Sequence, residues 1–133
     1  MESKTRIAGI IIKDGKLLMV KSSRYKEIWT PGGKVEPGEN DEQCLRRELK
    51  EEINVELKGM KFFKEYISES FYVPDRMVTQ RIYIVSVKGV PIADSEIESI
   101  VWLTKQDFKK KKYPMIPLTK KVIIPDLIKQ GIF

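Results

Sequence analysis

The stretch GKVEPGENDEQCLRRELKEEINV, residues 33–55, decides how the rest of the chain is read. Its middle is a helix with both ends marked. Asn40 is a good N-cap, because its side-chain oxygen can accept one of the backbone N–H groups left free at a helix start. Gln43 stands three residues on, at the capping-box position, and Asp41 and Glu42 suit the positive end of the helix dipole. The helix is predicted to run to about Ile53, with Asn54 in the left-handed conformation that ends it. On a wheel of about 100° per residue, Leu45, Leu49 and Ile53 share one arc of about 80°, the buried face. Glu48, Glu51 and Glu52 fall on an adjoining arc with Cys44, while Arg46 and Lys50 lie on the solvent side. The three acids are therefore predicted to flank the core-facing stripe, partly desolvated.

That arrangement is unfavourable by itself. Glu48 and Glu52 are like charges one turn apart, and Glu51 and Glu52 sit near the negative end of the helix dipole. Partial burial adds a larger penalty unless a cation compensates. Arg47 can pair with Glu51 one turn on, but one arginine does not neutralise three carboxylates. A divalent cation does; a solvated acidic face balanced by lysines is the alternative. The loop before the helix favours the cation. Gly32-Gly33-Lys34 lets backbone approach a ligand closely and supplies a positive charge there. Carboxylates for a metal, with glycine and lysine for phosphate, are the components of metal-assisted phosphoryl chemistry. The loop fits neither the P-loop nor the dinucleotide fingerprint.

Composition narrows the chemistry further. The 133 residues contain no histidine and one cysteine, Cys44. A Ser-His-Asp or Cys-His nucleophile system is excluded, as are an intrachain disulfide and a Cys/His zinc cage. Any bound metal must take mainly oxygen ligands, which favours magnesium, manganese or calcium. The net charge of +6 and pI near 9.3 fit attraction of a polyanion or, equally, a lysine-rich solubilising surface. The run Lys109 to Lys112 reads as a solvated helix end. No apolar run approaches membrane-spanning length, and the start lacks a signal-peptide core, so a cytoplasmic protein is expected.

Residues 33–55 resemble the Nudix box, G-x5-E-x7-R-E-U-x-E-E-x-G-U with U a bulky apolar residue. Gly33, Glu39, Arg47-Glu48, Leu49, Glu51-Glu52, Ile53 and Val55 match, and Asn54 replaces the late glycine. The resemblance implies an α/β fold, an α/β/α sandwich with a mixed β-sheet, and hydrolysis of a nucleoside diphosphate linked to another group. It implies magnesium, with manganese able to substitute, held by Glu48, Glu51 and Glu52 and by the carbonyl of Gly33 or Gly32. It gives Arg47 the task of orienting the glutamates, Glu39 that of supporting the loop, and Lys34 a phosphate contact. Magnesium would draw charge from the phosphate oxygens while water attacks phosphorus and a carboxylate takes its proton. Glu48 or Glu52 could serve as that base, and so could a glutamate before the late Trp102, where Glu96 is favoured over Glu98.

Outward from the box, one domain spanning 1–133 is expected. Ile7 to Ile12, the turn pair Asp14-Gly15 and Leu17 to Val20 read as a hairpin. Val55 to Leu57, Phe62 to Ile67, Arg81 to Val87 and Ile100 to Leu103 read as strands. Thr104 with Asp107 caps a short second helix. Thr119 caps a third segment towards Gly131, with Ile123, Ile124, Leu127 and Ile128 on a core-packing face and Pro125 interrupting it. Arg24, Tyr25 and Trp29 are candidates for lining a nucleotide pocket. Tyr72 falls where dinucleoside polyphosphate members place a tyrosine, although strand packing also accounts for it. The leading substrate is a nucleoside triphosphate, oxidised ones included, cut to monophosphate and pyrophosphate. A dinucleoside polyphosphate or capped RNA is the second option, and a non-catalytic nucleotide- or RNA-binding module the third. No DNA or membrane partner is expected, and the chain is read as a monomer or homodimer.

Overall fold

The computed structural model describes residues 2–133, with Glu2 described in its backbone only. The chain forms β1 (Glu2–Ile10), β2 (Ile12–Lys13), β3 (Lys16–Ser22), β4 (Gly32–Lys34), α1 (Asp41–Ile53), β5 (Glu56–Glu69), β6 (Arg76–Lys88) and β7 (Ile97–Leu103). It ends in α2 (Lys105–Lys109), a π-helical turn (Thr119–Ile123) and α3 (Ile124–Lys129). Among the described residues the strands divide into two sheets. One is mixed, in the order β4-β1-β6-β5, with β1 parallel to β6 and antiparallel to β4; the other is antiparallel, in the order β2-β3-β7.

The apolar runs are continuous because both faces of these strands are covered. Along β3, Leu18 and Val20 face the core around Leu45, Leu49 and Ile53 of α1, while Leu17 and Met19 face the core around Ile123, Ile124 and Leu127. Ile7 and Ala8 of β1 divide between the two cores in the same way. Helices on opposite faces of the strands give the expected α/β/α arrangement.

The helix of the box forms as its sequence predicts. Asn40 accepts from the Gln43 N–H at 2.8 Å, and the Gln43 side chain accepts from the Asn40 N–H at 2.9 Å. Asn54 ends α1 at φ 55°, a left-handed conformation that asparagine tolerates. Asp41, at the first helical position, takes two 2.7 Å bonds from the Arg81 guanidinium and another from the Tyr83 hydroxyl. Arg81 holds the Asp41 carboxyl below the usual range, and the three bonds tie the start of α1 to β6.

Several boundaries differ from the sequence reading, and Gly32–Lys34, read as a loop, is the strand β4. The predicted hairpin is confined to β2 and β3 around Asp14 (φ 52°) and Gly15 (φ 73°). Ile7–Ile10 belongs to the mixed sheet, where both edges of β1 are taken by β4 and β6. The two strands predicted at Val55 to Leu57 and Phe62 to Ile67 are one strand, β5. Register shifts at Leu57/Gly59 and Phe62/Lys64 absorb the breaks that Lys58-Gly59 and the irregular polarity signal. The last strands also reach further than predicted. Thr119 is not a cap: the helical run starts at Pro117, and Thr119 is buried inside it. Pro125 distorts that run without breaking it. Proline has no N–H to give and its ring would strike the carbonyl four residues back. The chain widens there into a π turn, in which Ile124 N–H reaches the Thr119 carbonyl. No helix among the described residues is long and apolar enough to cross a membrane.

Candidate active site

The site is built where β4 brings its glycines against α1. Gly32 pairs with Ala8 and Gly33 with Ile7, so the strand runs directly beside β1. A Cβ on Gly32 would collide with the Ile7 carbonyl, and one on Gly33 with the Glu48 carboxyl group. Glycine at both positions is what allows the helix carboxylates to reach the backbone of β4. Glu52 Oε1 accepts the Gly32 N–H at 2.8 Å.

Arg47 holds the acidic loop and the helix together. Its Nε and Nη2 donate to Glu39 at 2.7 and 2.9 Å, its Nη1 to Glu48 at 2.6 Å, and its Nη2 also to the Lys34 carbonyl at 3.2 Å. The anticipated bond to Glu51 is present but is the longest of the set, 3.5 Å. Arg47 draws the Glu39 carboxyl down to about 2. Glu48 is raised, because burial outweighs Arg47 there. At Glu52, 5% exposed, burial pushes the carboxyl up to about 7 against the opposing pull of Arg6 and the Gly32 N–H.

The wheel placed all three acids beside the core, and this holds for two. Glu51 lies at the outer end of the acidic arc and is 52% exposed at its side chain. Among the described residues no three His, Cys, Asp or Glu side chains stand converged as ready metal ligands. What the cleft contains is a pair of desolvated carboxylates, Glu48 and Glu52, facing glycine backbone. The Gly33 carbonyl, opposite Ile7 in the β1–β4 ladder, also accepts from the Cys44 thiol, a weak donor, at 3.5 Å. Burial lifts that thiol to about 11, so Cys44 remains a protonated packing residue.

Backbone bonds from Ile92 N–H to the Ile53 carbonyl and from Asp94 N–H to the Glu52 carbonyl pin the 90–96 loop to the end of α1. Glu96, exposed on that loop, is close enough to raise the Glu52 carboxyl further. Glu98 is engaged elsewhere, 2.8 Å from Lys21 Nζ. Lys34 is exposed at the end of β4.

Next to this cleft lies a cavity of about 300 Å³. Tyr25, Trp29, Phe71 and Tyr72 wall it; Lys4, Arg6, Thr30, Arg76, Gln80 and Thr119 give it polar atoms. Tyr25 and Tyr72 stack with ring centres 4.2 Å apart, and Trp29 meets Tyr25 edge-on at 5.9 Å. Tyr72 lies in the β5–β6 turn, not within a strand, and its hydroxyl donates to Glu27 at 2.7 Å. Arg24 stays at the exposed mouth, its guanidinium 5.5 Å from the Tyr25 ring centre. Arg6 joins cavity to cleft. It donates to the Thr30 carbonyl at 2.7 Å and to Gln80 Oε1 at 3.3 Å, and its charge acts on Glu52 and Glu48. Sequence reasoning missed Lys4, Arg6, Glu27, Gln80 and the pocket role of Thr119. No local pattern marks them.

The model of the NUDIX domain matches residues 3–126. The chain belongs to the Nudix family. This Nudix hydrolase is 31% identical to the CTP pyrophosphohydrolase of Escherichia coli (strain K12) over 120 residues, 84% of this chain and 82% of that protein. It is 32% identical to the 8-oxo-dGTP diphosphatase of the same organism over 97 residues, 69% and 73% of the two chains. Its structure superposes on the solution structure of the E. coli ORF135 protein with a TM-score of 0.77 at 26% identity, covering 98% and 93% of the two chains.

Proposed function

We propose that this Nudix hydrolase cuts a pyrophosphate bond of a nucleoside triphosphate, oxidised forms included, releasing the monophosphate and pyrophosphate with magnesium as its cation. The observation that supports this most is adjacency. Arg6, Thr30 and Gly32 place an aromatic cavity of nucleobase size beside two desolvated carboxylates. The activities named for the two E. coli relatives, on CTP and on 8-oxo-dGTP, agree with it.

The residues fit a hard divalent cation. Glu48, Glu52 and the Gly33 carbonyl offer oxygen donors, with Glu51 available at the edge. A cation would also relieve the burial that holds Glu52 near 7. When bound, magnesium or manganese would offset charge on the phosphate oxygens. Arg47 fixes Glu48 and Glu39 in place. Lys34 and the cationic lining from Lys4 and Arg6 suit the phosphate chain. Tyr25, Trp29 and Tyr72 suit the base by stacking, with Arg24 at the mouth. Glu96, on the loop over Glu52, is the proposed acceptor of the proton from the attacking water, with Glu48 and Glu52 as alternatives.

A substrate panel with magnesium, scored by product, tests this. Triphosphates are expected to give monophosphate and pyrophosphate, and EDTA is expected to abolish turnover. Turnover that persists in EDTA, or release of a second nucleotide only from dinucleoside polyphosphates or capped RNA, would overturn it.

A further inference from the structure

We infer that Gln80 reads the base, and that the cavity favours a nucleobase presenting a carbonyl over one presenting an amino group at the same position. This rests on the nucleotide reading above and names what the cavity selects. Gln80 stands on β6 in the cavity lining and is 6% exposed. Its amide has no freedom to flip. Arg6 can only donate, so Gln80 must turn Oε1 towards Arg6 Nη1, 3.3 Å away, and Nε2 to the opposite side. No acceptor among the described residues takes that Nε2. Two N–H donors are thus left for whatever fills the cavity.

The surroundings reinforce the bias. The cations of Lys4 and Arg6 line the same space and Glu69 in the lining is exposed, while the Thr30 and Thr119 hydroxyls can donate or accept and are neutral in the choice. A free glutamine reads adenine with both ends, accepting from the 6-amino group and donating to N7. Here Arg6 takes one of the two lone pairs of Oε1 and sets a cation beside the other, which disfavours a base amino group there. A 6-oxo purine meets the donors with an acceptor. A 6-amino purine sets donor against donor and leaves both desolvated.

Inosine and adenosine nucleotides differ at this position and separate the two cases. The wild-type enzyme is expected to prefer ITP to ATP in kcat/KM, and IMP to AMP in calorimetric Kd, by about tenfold or more. Gln80→Glu keeps a partner for Arg6 but turns an acceptor to the base, and is expected to erase or reverse both ratios. Ratios near one in the wild type, or ratios that Gln80→Glu leaves unchanged, would overturn the inference. IMP preference without pyrophosphate release from either triphosphate would remove the hydrolytic reading and leave the base reading standing. Hydrolysis of both without preference would do the reverse.

Discussion

Glu52→Gln is expected to lower magnesium-dependent turnover by about a thousandfold or more, because several kcal/mol of charge stabilisation rest on the cation it would hold. The same substitution is expected to make the metal-free protein more stable at alkaline pH. Glu52 ionises near 7 in the folded chain and near 4.5 when unfolded. Between those values the native state keeps a proton that the unfolded chain has released, so stability falls as pH rises. The group costs nothing below 4.5, and above 7 it costs about 3 kcal/mol. Glutamine cannot ionise, and its carbonyl can still accept the Gly32 N–H that Glu52 takes at 2.8 Å. Urea unfolding in EDTA should therefore separate variant from wild type at pH 8 and not at pH 4. Full activity, or an identical pH dependence of stability, would remove Glu52 from its place. Stability given up at a functional carboxylate is a common trade in enzymes.

Gly32→Ala is expected to lose about 3 kcal/mol or more of stability, the upper end of what overpacking costs. Its Cβ would strike the Ile7 carbonyl and the Ala8 backbone, and Gly32 has φ 153°, where side chains are strained. Backbone inside a paired sheet cannot give way. Gly33→Ala differs in kind. Its new methyl group meets the Glu48 side chain, which can swing aside. The fold should survive while turnover falls, since Glu48 leaves both Arg47 and the cleft. Melting temperature and kcat measured on both variants distinguish the cases. A Gly32→Ala protein that melts with the wild type would show that β4 does not need this close approach.

The contrast between these glycines also marks what the sequence could show. Helix α1 was legible because its rules are local: Asn40, Gln43 and Asn54 act within one turn, and Leu45, Leu49 and Ile53 mark the buried side by period alone. The acidic cluster followed from the same wheel, except that Glu51, at the edge of its arc, turned out to face water. The hairpin reading failed because Ile7–Ile10 continues smoothly into the turn, and only the partners of β1 reveal that it lies in another sheet. The two strands read at Val55 to Leu57 and Phe62 to Ile67 are one, because bulges inside a strand interrupt its pattern as a loop would. The cavity was least legible of all. Arg6 and Gln80 stand 74 residues apart and Tyr72 and Glu27 45 apart, each ordinary in its own neighbourhood. Arg24, Tyr25 and Trp29 were placed near the nucleotide by their closeness to the box, whereas Thr119 was read as a cap because a threonine opening a helical stretch normally is one.

Calorimetric titration of magnesium into the protein, with a non-hydrolysable triphosphate present, tests directly whether the Glu48–Glu52 pair holds a cation. Saturable binding is expected in the wild type and should be lost in Glu48→Gln and Glu52→Gln. Equal binding by all three proteins, or none by the wild type, would contradict it.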